Sequence, residues 1–148
     1  MRRLLLATTL ALVAVVASGC GEKALSKGEF IAKADAICKK YDRKLEALPD
    51  PKSIKDIGGL ADKAIPIVDN GINELDDLKP PDDLKDQVDH WLDLNKQNLD
   101  DFKKLRDAAK DGDAAKTQTL ASQISDHEQQ TDAAARKIGL KECGSSSS

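Results

Sequence analysis

The stretch PPDDLKDQVDHWLDLNKQNLDDFKKLRDAAKDGD, residues 80–113, decides the fold. In it Leu84, Val88, Trp91, Asn95, Leu99, Phe102, Leu105 and Ala109 recur at intervals of three and four residues, so they share one face of a helix. The spacing predicts a helix that starts at Pro80-Pro81 and runs to about Lys110. A proline suits the first helical position, where its missing N–H has no partner to lose, and Asp82 and Asp83 suit the positive end of the helix dipole. Asp111-Gly112 is a stop signal.

The same pattern extends in both directions. Downstream, Asp113 reads as an N-cap for a helix over 114–138, with Leu120, Ile124, Thr131, Ala134 and Ile138 as its seam. Gly139 suits the position after its end, with Leu140 as the hydrophobic contact beyond. Upstream, Ser53 opens a helix over 53–79 whose stripe is Ile54, Ile57, Ala61, Ala64, Val68, Ile72, Leu75 and Leu78. Pro66 lies inside it and removes a hydrogen bond to the Asp62 carbonyl. The apolar phase survives across Pro66, which predicts one kinked helix; two shorter helices are the alternative. Further upstream, Ser26-Lys27-Gly28-Glu29 is a capping box. Phe30, Ala34, Ile37, Tyr41, Leu45 and Leu48 follow it at helical spacing, giving a helix over 27–48 that Pro49-Asp50-Pro51 stops. No stretch alternates with period two for long enough to make a strand. Four amphipathic helices joined by short connections are antiparallel neighbours, so the fold class is all-α, an up-down-up-down four-helix bundle with a kinked second helix. The bundle occupies 26–143, and 144–148 is a flexible Gly/Ser tail.

The first 22 residues follow a different logic. Arg2 and Arg3 precede an apolar run from Leu4 to Ala17, interrupted by Thr8 and Thr9, and then small residues. A charged start, a short apolar core and a small-residue cleavage site are the layout of a secretory signal, and the run is shorter than the about 20 residues of a spanning helix. Ala17-Ser18-Gly19-Cys20 resembles the lipobox of bacterial lipoproteins, with Ala17 where that family most often has Leu. The resemblance implies cleavage of 1–19, a diacylglyceryl thioether on Cys20, and attachment to the outer face of the bacterial cytoplasmic membrane. Two or more acyl chains make a stable anchor where one is marginal. A plain secretory signal and an uncleaved N-terminal anchor are the other readings. Residues 20–25 form the lipidated tether, which spans at most about 17 Å beyond Cys20 when extended.

Composition excludes several functions. The formal net charge is −3, and the leader carries two arginines and no acid, so the remainder is more acidic still. That argues against nucleic acid, which needs a basic stripe, and gives no electrostatic pull toward anionic lipid. Phe30, Tyr41, Trp91 and Phe102 are the aromatics, too few for a base-stacking platform.

Cys38 and Cys143 remain once Cys20 is acylated. In an exported chain two such cysteines most simply pair, and the bundle brings the start of the first helix and the end of the fourth to the same end. Reduced thiols and a metal or redox site are the alternatives, the latter wanting a C-x-x-C or more Cys and His nearby. Because Cys38 lies well inside its helix, the pairing predicts that the first turns of that helix project beyond the others and that the tail folds back along the bundle. Ala34-Asp35-Ala36-Ile37-Cys38 and Gly139-Leu140-Lys141-Glu142-Cys143-Gly144 resemble small helical lipoproteins and secreted proteins of actinobacterial envelopes, with one cysteine in the first helix and one at the C-terminal end. That resemblance implies the same overall architecture and carries no activity.

Few residues suggest chemistry. His127 sits on the seam of the fourth helix and reads as a half-buried edge residue, with no second ligand spaced to join it. His90 follows Asp89, but adjacent helix residues diverge and make no dyad. Asp76, Asp77, Asp82, Asp83, Asp86 and Asp89 cluster at the corner of the second and third helices, where solvation and dipole complementarity account for most of them; a divalent cation is the sharper reading. The sequence has no Glu-x-x-His pair, C-x-x-C-H, phosphate loop, serine-nucleophile signature or H-E-x-x-H. The expectation is therefore a non-enzymatic, lipid-anchored envelope binding or interaction module. It needs no metal and no cofactor, reaches the membrane through Cys20, and binds a protein partner of the envelope. The alternative is a carrier of a small apolar ligand between the helices.

Overall fold

Local capping sets where each helix begins. The computed structural model describes residues 23–145; the expected signal at 1–19, the expected lipidation site Cys20, residues 21–22 of the expected tether and the last three serines lie outside the described residues. Helix α1 spans Lys27–Glu46. The backbone N–H of Ser26 donates to the Glu29 carboxylate at 2.9 Å while Ser26 Oγ accepts from Glu29 N, so the capping box is complete. Helix α2 spans Ile54–Asp76 and starts at Ser53, whose hydroxyl accepts from Asp56 N. It runs unbroken through Pro66, as the continuous apolar phase requires. Helix α4 spans Ala114–Ile138, with Asp113 accepting from Lys116 N at 3.0 Å. It ends at Gly139, whose φ of 104° is open to glycine and strained for other residues. The Leu140 N–H then reaches back to Ala135 O at 3.0 Å and Leu140 is buried.

Helix α3, Lys85–Lys110, starts later than the sequence suggests. Residues 82–84 form a turn in which Leu84 N donates to Pro81 O at 2.9 Å. Regular α-helix therefore begins only after this turn, at Lys85. The turn drops Leu84 into the core. The other ends shift by a few residues: α1 stops at Glu46 and α2 at Asp76, short of 48 and 79.

Cross-helix bonds fix the directions. Leu25 N donates to Lys79 O at 2.9 Å, and Lys40 and Tyr41 both reach Glu74, so α1 and α2 are antiparallel. Lys110 bonds Asp62 and Lys96 pairs with Asp76 between α2 and α3. Asn98 meets Thr131 and Asp101 meets His127 between α3 and α4. The result is an all-α up-down-up-down four-helix bundle, with α1 packed on α2, α2 on α3 and α3 on α4.

The core falls into two clusters. At the end where the termini lie, Phe30, Ala34 and Ile37 meet Leu84, Val88, Trp91 and Leu92 of the third helix region, with Ala135, Ile138 and Leu140. At the far end Leu105 and Ala108 pack with Leu120 and Ile124, flanked by Ile57 and Phe102. Because α3 lies between two neighbours, it buries more than one stripe: Leu92, Asn98, Asp101 and Ala108 are buried in addition to the predicted face. Ile54, expected in the α2 stripe, is 40 % exposed, since it sits in the first turn, beyond the far cluster. Among the described residues no helix is long and apolar enough to cross a membrane.

Two adjacent glycines in α2 differ in a testable way. A Cβ on Gly58 would lie 2.8 Å from Lys110 Cγ and 3.3 Å from Lys110 N, whereas one on Gly59 meets nothing within 4 Å. Gly59→Ala therefore gains the full helix preference, about 0.5–1 kcal/mol, and raises the melting temperature by a few degrees. Gly58→Ala loses that gain to the clash with the end of α3. Thermal melts showing equal stabilisation by both would overturn the close approach.

Candidate functional site

The two cysteine motifs form one structural unit. Cys38 and Cys143 lie at disulfide distance, with sulfurs 2.06 Å apart and Cα atoms 5.3 Å apart. What brings them together is Asp35, three residues before Cys38. Its carboxylate accepts from the backbone N–H groups of Lys141 and Glu142, each at 3.0 Å, and more weakly from Cys143 N. A carboxylate facing successive amides is a charge-assisted clamp. Arg136 completes it by donating to Gly144 O at 2.7 Å. The tail thus folds back along α1, as the pairing requires. The first turn of α1, residues 27–29, is exposed and runs past the end of α4, while Leu25 is tied to Lys79 after the end of α2 and Phe30 is fully buried. The gap closes because Gly139 lies level with Ile31, so the tail climbs only from Ile31 to Cys38, about 10 Å of helix. The role of Asp35 was visible only as one acid within its motif.

The histidines are separated. His90 is exposed on α3, and Asp89 pairs with Lys85 instead, so Asp89 and His90 form no dyad. His127 is half-buried, as expected, but has a partner that adjacent-residue reasoning could not find. Its Nδ1 lies 2.8 Å from Asp101 Oδ2, one helix away. Asp101 is only 8 % exposed. The Lys104 ammonium, then His127, hold its carboxyl below the usual range against the effect of burial. A histidine with an orienting carboxylate is half of a catalytic constellation. The pair links α3 to α4. In the acidic corner Asp76 pairs with Lys96 and Asp89 with Lys85. Among the described residues no group of three His, Cys, Asp or Glu side chains is arranged to hold a metal ion.

The feature the sequence did not announce lies between the two core clusters. There a cleft of about 460 Å³ opens, lined by all four helices. Helix α1 contributes Asp42, Leu45 and Glu46, α2 contributes Ala64 and Val68, α3 contributes Asn95, Asn98, Leu99 and Phe102, and α4 contributes Glu128, Thr131 and Asp132, with Ser145 at the rim. Each set has the spacing of a single helix face. The cleft exists because the α1–α4 side does not zip up. Phe30 and Ala34 close it at one end, but one level further α1 offers Asp42 and Glu46 and α4 offers Glu128 and Asp132. Burial first, then Glu46 and Glu142, raises the Asp42 carboxyl above its ordinary range. Burial first, then Asp132, does the same to Glu128.

Comparison with known proteins finds no family model, no curated protein and no solved structure that matches the chain.

Proposed function

We propose that this chain is a lipid-anchored, non-enzymatic binding protein of the bacterial cell envelope, held at the outer face of the cytoplasmic membrane through Cys20, and that it carries a small molecule in the cleft between its helices. One observation carries the reading: a cleft within the size range of small-molecule sites, with an apolar floor of Val68, Leu99 and Phe102. Of the two expectations drawn from sequence, the carrier gains support over the protein-interaction module. A docking surface for a protein usually presents a contiguous apolar patch, and Ile54 is the exposed large hydrophobic residue among those described. The anchor rests on the lipobox resemblance at Ala17-Ser18-Gly19-Cys20.

Two measurements test the two halves. Cys20→Ser releases the protein from the membrane fraction or leaves an uncleaved precursor; a mutant that stays membrane-bound, processed and normal in mobility overturns the anchor. A ligand-observed NMR screen of small apolar and amphiphilic compounds yields hits whose signals vanish with Ala64→Trp, which fills the cleft. Hits indifferent to Ala64→Trp, or a screen without hits, overturn the carrier.

A further inference from the structure

Charge is sorted by sign around α1. Lys33, Lys39, Lys40, Arg43 and Lys44 are all exposed. At about 3.6 residues per turn they fall within an arc of about 140° and along about 16 Å of helix. Beyond the first turn the acids of α1 keep to an adjoining strip that faces the tail and α4: Asp35 binds the tail amides, and Asp42 and Glu46 line the cleft. Lys39–Arg43 and Lys40–Lys44 are i,i+4 pairs of like charge, a spacing that weakens a helix where opposite signs would support it. Two acids soften the stripe without neutralising it: Lys40 pairs with Glu74 at 2.7 Å, and Lys39 lies 3.9 Å from Glu142.

The net charge of the whole chain conceals this face. Residues 23–46 hold seven lysines and arginines against four acids, whereas residues 47–145 hold fourteen against twenty-one. The second observation is independent of charge. Leu25 packs on the core cluster at the end where the termini lie, and its N–H donates to Lys79 O at 2.9 Å. The chain is thus pinned just before α1, and five residue steps separate the pin from Cys20, a reach of at most about 17 Å. A bundle two helices wide is about 20 Å across. A group attached at Cys20 therefore stays on the side of α1 and α2, beside the basic stripe.

Resting on the lipid-anchor reading, we infer that α1 lies along the bilayer, with Lys33, Lys39, Lys40, Arg43 and Lys44 on anionic phospholipid headgroups. A helix that is apolar toward its core and basic on an exposed flank is suited to such a surface. Each basic residue held there strengthens adsorption about fivefold, and the attraction fades within a Debye length of about 8 Å. The tether brings the stripe to the surface, where that attraction acts. The acyl chains hold the protein at the membrane, and the stripe decides which side faces it. The acid-rich remainder of the bundle is repelled by the same headgroups, so the orientation is one-sided.

Native lysines report the orientation without any substitution. The full chain purified from the membrane fraction is reconstituted into vesicles of phosphatidylcholine, alone or mixed with phosphatidylglycerol, and acetylated with an amine-reactive ester; mass spectrometry reads each site. Lys33, Lys39, Lys40 and Lys44 react at least about threefold more slowly on the anionic vesicles, and about 0.5 M NaCl removes the difference. Lys104 and Lys116, on α3 and α4, react alike on both. In Lys33→Glu/Arg43→Glu, changed at two exposed positions, the protection of Lys40 and Lys44 falls by at least about half. Equal reactivity on the two vesicles, or equal protection of all six lysines, overturns the orientation; the anchor still stands if the intact mass includes lipid. Protection by soluble polyphosphate but not by vesicles identifies an acidic polymer as the partner and overturns the bilayer. A chain whose mass includes no lipid refutes the anchor. Sedimentation of that chain with the anionic vesicles alone then supports the stripe, and sedimentation with neither overturns both.

Discussion

Reducing the Cys38–Cys143 bond lowers the melting temperature by about 10–20 °C while leaving the helical signal at low temperature intact. The bond closes a sequence separation of 105 residues, which encompasses almost the whole bundle. In the chain-entropy description a loop of that length contributes about 4.7 kcal/mol, because the cross-link restricts the unfolded chain, and residual structure in the reduced chain makes this an upper figure. That compares with the whole stability of a modest domain, about 5–15 kcal/mol. The folded state changes little on reduction, since Asp35 still holds the amides of Lys141 and Glu142 and Leu140 remains in the core. Asp35 and the disulfide therefore do one job by two means, and their effects do not add. In the oxidised protein Asp35→Ala is mild, because the covalent bond keeps the tail in place. In the reduced protein the same substitution frees the tail and costs about 1.5–3 kcal/mol more. Intact-mass analysis with and without alkylation establishes the bond. Two free thiols in protein recovered from the envelope, or a melting temperature indifferent to reductant, refute the staple.

The bundle was legible because its helices are long, periodic and capped. Ser26 with Glu29, Ser53, Asp113 and Gly139 all act where the pattern places them. The misses have physical reasons. Pro80-Pro81 looks like a helix start, but residues 82–84 form a turn that buries Leu84, and the regular helix begins at Lys85. A single stripe describes a helix with one neighbour, and α3 has two, so Leu92 and Ala108 escaped a one-face count. The depth of Cys38 in its helix showed that α4 could not end level with the beginning of α1, and Gly139 lies beside Ile31, about one turn in.

The candidate site was less legible for a deeper reason. Hydrophobic periodicity says which face of a helix is buried, but not whether the facing seam has enough apolar volume to close. Asp42, Glu46, Glu128 and Asp132 look like ordinary solvated charge in one dimension. Only the antiparallel register, which sets α1 past Tyr41 alongside α4 around Thr131, brings the two separate acid pairs into one cleft. The like sign at i,i+4 on both helices was the available signal. The price of the cleft is a core split into two clusters, and stability then leans on the cluster at the end where the termini lie.

Trp91 is the centre of that cluster, and replacing it separates packing from polarity. The side chain is 1 % exposed and lies among residues of all four helix regions, including Phe30, Leu75, Val88 and Ile138. Trp91→Ala costs about 3–5 kcal/mol, because the cavity it leaves is walled by elements that cannot all move inward together. The indole nevertheless has a flaw: Nε1 is buried with no hydrogen-bond partner. An unsatisfied donor costs about 1–3 kcal/mol, a penalty the packing of the ring overcomes. Trp91→Phe keeps most of the apolar volume and removes the orphan donor. The lost volume and the recovered penalty are of similar size, so this variant stays within about 1 kcal/mol of the parent. Urea titrations of the two variants measure both, with the slope unchanged from the parent if the unfolded chain is unaffected. If Trp91→Phe loses as much as Trp91→Ala, the indole N–H is satisfied in solution and the cluster depends on polarity as well as on volume. If both lose little, the core at this end is not what holds α1 to α3 and α4.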